Sequence, residues 1–388
     1  MKILMLVNWK VEYGDTPPPD KQPPDYFIKE QPYWFFRYFK EKPQVDVVDI
    51  HSFPWLEHWE KEKLRFYVWQ TLKVLPRLGA YDLILSHGMQ SGVVLSLLRR
   101  FFPIKSKHIV FDIGAFNSAA ESGAALKLMQ FASHSIDGII YHTSRQREYY
   151  EKCFPWILER SVFIKFGTDA ELFSCQQLGC QPRQQMEGEY VEAESLKSTT
   201  TEQAELIKAE KPESTVPYIL CVGYAKRDWE TLYRAWQCLR KKRKGSVRLR
   251  LIGYPQFHPE DSGVESLPVM PLPELMTQIH QALFCVLPLE SFLYSFGQMT
   301  LLQQMALGKA VVTARVPSMT DYVKEEQNAL LYESGNAKEL CDKLELLLEK
   351  ANLREQIGQN AAWFIQNEWN ETHMAAEIEK YIKECMGG

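Results

Sequence analysis

Short runs of apolar residues recur along the first part of the chain, with room for a helix between most of them. The first is KILMLV at 2–7, and five more follow: VDVVDI (45–50), YDLILS (81–86), HIVFDI (108–113), GIIYHT (138–143) and SVFIKF (161–166). Continuous apolar strands that alternate with amphipathic stretches are typical of a parallel sheet covered on both faces. The pattern predicts a doubly wound α/β domain over residues 1–173.

A second series of the same kind comprises YILCVG (218–223), VRLRLIG (247–253), ALFCVLP (282–288), KAVVTA (309–314) and NALLY (328–332). Between the two series, residues 174–216 are rich in Gln, Glu, Ser and Thr and bury too little apolar surface to offset their ordering entropy. We therefore predict a polar linker or insertion at 174–216, a second Rossmann-like domain at 217–370 and a final helix at 371–388. Because ligands of open α/β sheets lie beyond the carboxyl ends of the strands, two such domains facing each other would form one cleft.

The composition agrees with a two-domain globular protein. The chain has 388 residues, of which 45% are hydrophobic and 24% charged, and a single core stops growing at about 250 to 300 residues. The net charge of −4 supplies no global basic field, so a nucleic-acid partner is not expected. Eight cysteines without a C-x-x-C pair indicate buried thiols in a reducing compartment.

Membrane-spanning and secretory segments are not predicted. No stretch reaches the ~18 to 20 apolar residues of a spanning helix, and the N-terminal run is too short for a signal peptide. We expect a cytoplasmic protein with peripheral contact, if any, at the inner membrane face. Two aromatic and basic stretches, 32–42 and 63–78, leave two interpretations open, an interfacial membrane helix or core packing. Core packing is favoured.

The segment 282–314 predicts a strand, a loop, a helix and a strand. Ser295, Gly297, Gln298 and Met299 stand where the helix exposes unpaired backbone N–H groups. A helix N-terminus at the carboxyl end of a strand favours an anion such as a diphosphate. The alternative is an ordinary βαβ unit in which Gly297 serves a turn.

A second candidate segment is YILCVGYAKRDWETLYRAWQ at 218–237. It predicts a strand, a turn at Gly223 and a helix preceded by Lys226 and Arg227, with Asp228 as the N-cap. A fixed cation at this place suits a diphosphate, since a planar guanidinium binds two oxygens at once. The alternative is a pair of solvated charges at a helix start.

In the first domain, His87 and Asp112 stand at strand ends and are candidate catalytic residues on the acceptor side. The alternative for both is a buried polar residue with a structural role. No G-x-G-x-x-G motif, P-loop or metal-ligand spacing occurs. Neither a redox cofactor nor a metal is therefore expected.

Several motifs together resemble the retaining GT-B glycosyltransferases of the family-four type, the glycosyl transferases group 1. The donor-binding region of that family is similar to S-F-G-Q-M-T-L-L-Q-Q-M-A-L-G-K-A-V-V, followed here by P-S-M-T-D-Y-V and N-A-L-L-Y. The turn G-Y-A-K-R-D-W resembles the family's G-R-x-x-x-K-G opening, and F-G-T-D-A-E-L-F (166–173) resembles the segment that closes its first domain. The resemblance implies a GT-B architecture, two facing Rossmann-like domains with an interdomain cleft, and a final helix that crosses back to the first domain.

The resemblance also implies a reaction. A hexosyl-type sugar would pass from a nucleotide diphosphate sugar to a hydroxyl of a glycan, lipid-linked or small-molecule acceptor, with retention and without a metal or cofactor. Arg227, Lys226 and the amides at 297–299 would hold the diphosphate, Gln303 the ribose, and apolar residues of the 253–272 loop the base.

One departure from the family pattern leaves other functions open. Ser295 and Gln303 stand where the family carries glutamates, and Gln303 offers a ribose only neutral hydrogen bonds. Two alternatives therefore remain, a non-catalytic nucleotide-sugar-binding subunit and a GT-B-fold epimerase.

Overall fold

The computed structural model describes residues 1–114, 116, 120–174, 216–243, 245–254 and 262–387. It divides into two compact units. The first comprises Met1–Gly167, Phe292–Phe296 and Trp369–Gly388, and the second comprises Thr168–Ser291 and Gly297–Glu368. Each unit is built on a six-stranded parallel sheet, which confirms the predicted α/β class with two parallel-sheet domains. The interior of the predicted linker, 175–215, lies outside the described residues.

The first unit contains every strand predicted for it. In chain order its strands are β1 (Lys2–Leu6), β2 (Glu12–Gly14), β3 (Tyr26–Ile28), β4 (Gln44–Val48), β5 (Leu83–His87), β6 (Lys107–Phe111), β7 (Gly138–Tyr141) and β8 (Ser161–Phe163). The main sheet has the order β4-β1-β5-β6-β7-β8, and β2 pairs separately with β3. Side chains along β1 alternate between two cores, with Ile3 and Met5 in one and Leu4 and Leu6 in the other. The sheet is therefore covered on both faces, as continuous apolar strands require.

The α-helices of this unit are Pro54–Trp59, Val68–Val74, Met89–Phe101, Gly123–Ser133, Gln146–Cys153 and Glu371–Met386. Shorter 3₁₀ segments span Trp34–Tyr38, Leu75–Ala80 and Pro155–Arg160, and a π-helical turn spans Glu60–Leu64. Across the described ranges, no helix combines the length and apolar character needed to cross a membrane.

The final helix packs on the aromatic stretch 32–42. The Glu371 carboxylate accepts a hydrogen bond from Trp34 Nε1 at 3.0 Å and pairs with Arg37 Nη2 at 2.8 Å. Further along the helix, Glu379 accepts from the backbone N–H of Lys40 at 2.8 Å. The aromatic residues of this stretch lie in the core of the first unit. The structure therefore supports the core interpretation for 32–42.

The second unit contains the five predicted strands and one more. They are β9 (Tyr218–Val222), β10 (Arg248–Ile252), β11 (Val264–Leu267), β12 (Phe284–Leu287), β13 (Val311–Ala314) and β14 (Leu330–Tyr332), in the order β11-β10-β9-β12-β13-β14. Its helices are Trp229–Lys242, Leu272–Gln281, Gln298–Ala306, Pro317–Thr320, Ala337–Glu349 and Ala351–Asn367. The prediction of a loop throughout 253–272 is wrong, because β11 forms a half-buried edge strand there. Its sequence VESL carries no apolar run to reveal it.

The strand order fixes where ligands bind to such sheets. In the second unit the order reverses direction between β9 and β12, and in the first unit between β1 and β5. At these switch points the connections leave in opposite directions and open a crevice at the carboxyl ends of the strands. Ligand-binding residues are therefore expected in the segments that follow these four strands.

Candidate functional site

The switch point of the second unit joins the two segments that the sequence singles out. Arg227, in the turn after β9, forms an antiparallel bridge with Leu289, in the segment after β12. The backbone N–H of Glu290 donates to the Lys226 carbonyl at 3.3 Å, and that of Asp228 donates to the Pro288 carbonyl at 3.1 Å. The turn after β9 is thus held against the chain that leads to the helix Gln298–Ala306.

Arg227 is nearly buried, and its guanidinium lies on its own turn. Nη2 donates to the Val222 carbonyl at 2.8 Å, Nη1 donates to the Ala225 carbonyl at 3.1 Å, and Nη2 also lies 3.5 Å from Thr300 Oγ1 in the first turn of the helix. Burial lowers the pKa of Arg227 from its usual value. The Arg227 guanidinium therefore lies beside the start of the helix Gln298–Ala306. Some of its N–H groups donate to the carbonyls of Val222 and Ala225.

Gly223 makes this arrangement of the arginine feasible. Its φ is +92°, and a Cβ at this position would lie 2.6 Å from Arg227 Nη2. A side chain here would be strained in the backbone and would displace the guanidinium. Gly223 therefore has two roles: it adopts the positive φ of the turn, and it leaves room for the Arg227 guanidinium.

Lys226 and Asp228 differ in environment although they flank Arg227. Lys226 is exposed and adopts a left-handed backbone with φ of +57°. The Asp228 side chain accepts from the Thr231 N–H at 3.0 Å, which confirms the predicted N-cap. Of the two predicted cations, Lys226 is the one whose side chain reaches solvent.

The helix Gln298–Ala306 begins as the sequence predicts. Its N-cap is Gly297, with φ of +85°, and a Cβ there would lie 2.8 Å from Leu289 Cδ1. The close approach to Leu289 requires glycine and sets the first turn of the helix beside the turn after β9. Along the helix, Gln298 and Gln303 are nearly buried, whereas Met299 is 37% exposed.

An aromatic cluster that was not predicted from the sequence lies beside this turn. Tyr254 packs on Trp229 with ring centroids 4.1 Å apart, on Tyr224 at 5.9 Å and on Tyr233 at 6.3 Å. Tyr224 is 58% exposed. A signal was present in the sequence, since Tyr224 and Tyr254 each follow a glycine at the end of a strand.

Ser295 belongs to the first unit, unlike Gly297 and Gln298. Its hydroxyl is buried, lies 3.1 Å from Thr143 Oγ1 and donates to Gln146 Oε1 at 3.3 Å. Ser295 is therefore part of a network in the first unit, and its role in binding a donor stays a prediction.

The same network reaches Asp112, at the end of β6. Gln146 Nε2 donates to the Asp112 carbonyl at 2.9 Å, and the Tyr150 hydroxyl donates to Asp112 Oδ2 at 2.6 Å. The backbone N–H of Phe116 donates to Oδ1 at 2.8 Å. Burial raises the pKa of Asp112 to about 6, although these hydrogen bonds oppose the shift. Because both carboxylate oxygens accept internal hydrogen bonds, Asp112 orders its surroundings.

His87 lies at the switch point of the first unit, between aromatic rings. Its ring centroid is 4.6 Å from that of Trp9, 5.7 Å from Trp34 and 5.8 Å from Phe111. Nδ1 is buried and has no hydrogen-bond partner within the described part of the chain. Burial lowers the pKa of His87 to about 3, so the imidazole is neutral near pH 7 and can accept or donate a single hydrogen bond.

His142, on the other side of Phe111, was not singled out from the sequence. Its Nδ1 is 2.6 Å from the Ile164 carbonyl, and burial lowers its pKa to about 4. It comes directly after β7 in GIIYHT, and His87 is the last residue of β5 in LILSHG. A position at the end of a strand was therefore the signal in the sequence for both histidines.

No group of three or more metal-ligating side chains is assembled within the ranges that the structure describes. The prediction that no metal is required stays a prediction.

The order of elements in the two units is that of the GT-B fold, and the chain is similar to solved structures with this fold. Sucrose-phosphate synthase from Thermosynechococcus elongatus has a TM-score of 0.65 and 15% identity, with 100% of both chains covered. Anabaena Alr3699/HepE in complex with UDP has a TM-score of 0.62 and 15% identity, with 99% of this chain and 100% of that chain covered. At such identities the likeness establishes the fold.

The family likeness rests on the second unit. Residues 216–350 match the family model described as Glycosyl transferases group 1. Over 96 residues the chain is 29% identical to the capsular polysaccharide biosynthesis glycosyltransferase CapM of Staphylococcus aureus, covering 24% of this chain and 25% of CapM. The match thus spans about a quarter of the curated relative. The family that the motifs resemble is thus the one whose model matches the second unit.

Proposed function

We propose that the protein is a glycosyltransferase that moves a hexosyl group from a nucleotide diphosphate sugar to an acceptor hydroxyl, with retention of anomeric configuration. The observation that carries this proposal is the meeting of two segments at the switch point of the second sheet. Arg227, after β9, lies 3.5 Å from Thr300 in the first turn of the helix after β12. A cation and helical N–H groups beyond the carboxyl ends of two adjacent strands suit a diphosphate.

The donor would be held by three groups of contacts. Exposed Lys226 and the amides at 297–299 bind the diphosphate oxygens, and the fixed charge of Arg227 stabilises the leaving diphosphate from behind. Gln303 hydrogen-bonds the ribose. The exposed ring of Tyr224 offers a face on which a nucleobase stacks. Because Anabaena HepE was solved with UDP and with UDP-glucose, uridine nucleotides are the first donors to test.

The chemistry would depend on positioning and charge stabilisation. A leaving phosphate oxygen takes the proton of the acceptor hydroxyl on the face from which it departs, so no protein nucleophile is required. Neutral His87 accepts a hydrogen bond from an acceptor hydroxyl through Nδ1, whose pKa of about 3 makes it a weak base. Asp112 positions the loop that follows β6. No metal or cofactor takes part in this scheme.

The acceptor would be a glycan, a lipid-linked molecule or a small molecule. We place the reaction in the cytoplasm, with peripheral contact at the inner membrane face. The apolar and basic side chains at the surface of the first unit support such contact.

A second candidate is a nucleotide-sugar-binding subunit without transferase activity. Neutral Ser295 and Gln303 occupy the positions of the family's glutamates, and the Ser295 hydroxyl is engaged by Thr143 and Gln146. Incubation with a radiolabelled donor separates the candidates, because a binder takes up donor without transfer or slow hydrolysis. Deuterium from solvent in the recovered donor would instead indicate the epimerase.

Calorimetry with UDP tests the donor site. Arg227→Ala should weaken binding by about 1.5 to 3 kcal/mol, the worth of a hydrogen bond or contact to a charged group. Arg234→Ala is the matched control, since Arg234 is an exposed cation of the next helix and pairs only loosely with Glu230, at 3.7 Å. Equal UDP affinity in the two variants would show that Arg227 does not contribute to UDP binding.

Gln303→Glu tests the ribose contact separately. A charged acceptor strengthens a hydrogen bond to a ribose hydroxyl, so UDP affinity should be kept or improved. Loss of affinity in this variant would show that Gln303 does not contact the ribose.

A further inference from the structure

Two adjacent phenylalanines project into solvent where the helix Met89–Phe101 ends. Phe101 is 71% exposed and Phe102 is 60% exposed, and nearby Leu75 is 43% exposed. Phe102 and Leu75 border a hollow of about 460 Å³ whose remaining lining is Leu78, Gly79, Leu98, Pro103, Ile104 and Lys105. Exposed aromatic rings around an apolar hollow are costly in water and mark an interaction surface.

Basic side chains surround these apolar groups. Arg77, Arg100 and Lys105 are exposed, and within the described part of the chain none of them forms an ion pair with a carboxylate. The Arg100 guanidinium lies over the Phe131 ring at 5.0 Å, and that ring lies 5.9 Å from Phe101. The neighbouring Arg99 differs, because it pairs with Asp137 at 2.6 Å. The surface therefore combines exposed apolar side chains with positive charges that no carboxylate of the described residues pairs with.

We propose that this surface, the Phe101 patch, docks on an anionic lipid bilayer. The patch is defined by Leu75, Arg77, Arg100, Phe101, Phe102 and Lys105. Phenylalanine and leucine side chains enter the acyl boundary of a bilayer, while arginine and lysine remain at the anionic headgroups. A bilayer thus satisfies both kinds of side chain at once.

A second copy of the chain satisfies them less well. A two-fold interface would place the patch against itself and bring its three cations face to face with those of the partner. An anionic surface has the complementary charge. The charge pattern therefore selects the bilayer as the occupant.

The patch shares only Leu75 and Arg77 with the stretch 63–78 that the sequence offered for membrane contact. Phe66 packs against the core of the first unit, and the Trp69 ring packs on Phe53 with centroids 5.7 Å apart. The side chains that project are Leu75, near the end of that stretch, and Phe101 and Phe102, at the end of the helix Met89–Phe101. Only folding brings these segments together around one hollow.

The test is co-sedimentation of the full chain with phosphatidylcholine vesicles that contain or lack phosphatidylglycerol. The wild-type chain should sediment with anionic vesicles and much less with neutral ones. Each cation near an anionic surface contributes about five-fold in affinity, so Arg100→Gln with Lys105→Gln should lose more than ten-fold. The pair Phe101→Ser and Phe102→Ser should lose binding to a similar degree, through lost insertion.

Matched controls come from the second unit. Lys241→Gln with Lys338→Gln removes two exposed cations, and Val269→Ser removes an apolar side chain that is 83% exposed. Both control variants should bind vesicles as the wild type does. Far-ultraviolet circular dichroism verifies folding of every variant.

Three results would overturn the proposal: no binding of the wild type to anionic vesicles, equal binding to neutral vesicles, or full binding by the patch variants. A concentration-dependent dimer in sedimentation velocity that the Phe101 and Phe102 substitutions dissociate would assign the patch to self-association and also overturn it. The proposal rests on the peripheral contact suggested above. The patch variants should bind UDP as the wild type does. UDP affinity therefore tests the donor site independently of membrane binding, so a failure of one proposal can be told from a failure of the other.

Discussion

The carboxyl ends of the two sheets differ in the groups that they present at and beside their switch points. In the second unit, Gly223 and Gly297 adopt positive φ, and the exposed Lys226 and the N-terminus of the helix Gln298–Ala306 follow the two strands of the switch point. In the first unit, His87 at the switch point is enclosed by aromatic rings, and Asp112, after the neighbouring strand β6, is held by hydrogen bonds. A site made from backbone suits a ligand with an invariant charged group, such as a diphosphate.

The two regions also differ in their response to protons. Burial lowers the pKa of His87 and of His108 to about 3 and that of His142 to about 4, and all three lie in the first unit. Asp112, in the same unit, has its pKa raised to about 6. The comparison is therefore open to a direct test by acidification.

The largest expected effect is a selective loss of stability of the first unit between pH 6.5 and 4. In this window the unfolded state binds more protons at each histidine than the folded state does, so the free energy of unfolding falls as pH falls. Each histidine contributes up to about 1.4 kcal/mol per pH unit, and Asp112 offsets roughly one of them with the opposite sign. Hydrogen exchange at pH 7 and pH 5 should show β5, β6 and β7 losing protection before β9, β12 and β13.

His108→Gln is the control for that experiment. Glutamine can keep a hydrogen bond to Ser86, whose Oγ is 2.9 Å from His108 Nε2, but it does not titrate. This variant should lose less stability on acidification than the wild type does. Earlier loss of protection in β9, β12 and β13 would contradict the assignment of acid sensitivity to the first unit.

A smaller effect, confined to the second unit, is expected for Gly223→Ala. The left-handed backbone strains alanine by about 1 kcal/mol or more, and the added Cβ would lie 2.6 Å from Arg227 Nη2. We expect a loss of roughly 2 kcal/mol in stability together with about ten-fold weaker UDP binding. Urea unfolding and calorimetry measure the two.

Gly245→Ala separates backbone strain from displacement of the arginine. Gly245 also has a positive φ, of +72°, but nothing lies within 4 Å of its added Cβ. It should cost about 1 kcal/mol in stability and leave UDP affinity unchanged. The same loss of affinity in both variants would show that Gly223 acts through the backbone alone.

The smallest expected effect is a gain in stability from Gln304→Met. Gln304 is fully buried in the helix Gln298–Ala306, and neither amide atom has a hydrogen-bond partner within the described residues. An apolar side chain of similar volume removes this unsatisfied polarity, and about 1 kcal/mol should be gained in urea unfolding. In contrast, Gln303→Met should weaken UDP binding. A stability loss in Gln304→Met would mean that the amide is satisfied in solution.

The elements predicted from sequence and those observed agree best where one face or both faces of a strand are apolar. KILMLV and YILCVG appear as β1 and β9 because burial on both sheet faces requires continuous apolar residues. VESL, at β11, was missed because an edge strand is half-buried and its composition carries no such constraint. The capping role of Asp228 was also predictable, since a cap depends on residues three positions apart.

The sequence alone determined the doubly wound sheets, the helix starts and the glycines near them, because each depends on residues that are neighbours along the chain. Tertiary structure alone decided that Ser295 bonds to Thr143 and Gln146, and that Arg227 lies beside Thr300 in the first turn of the helix Gln298–Ala306. It also brought Leu75 and Phe102 to one hollow. These contacts join residues whose distance in space is set by the packing of sheets and helices, and no local pattern encodes that distance.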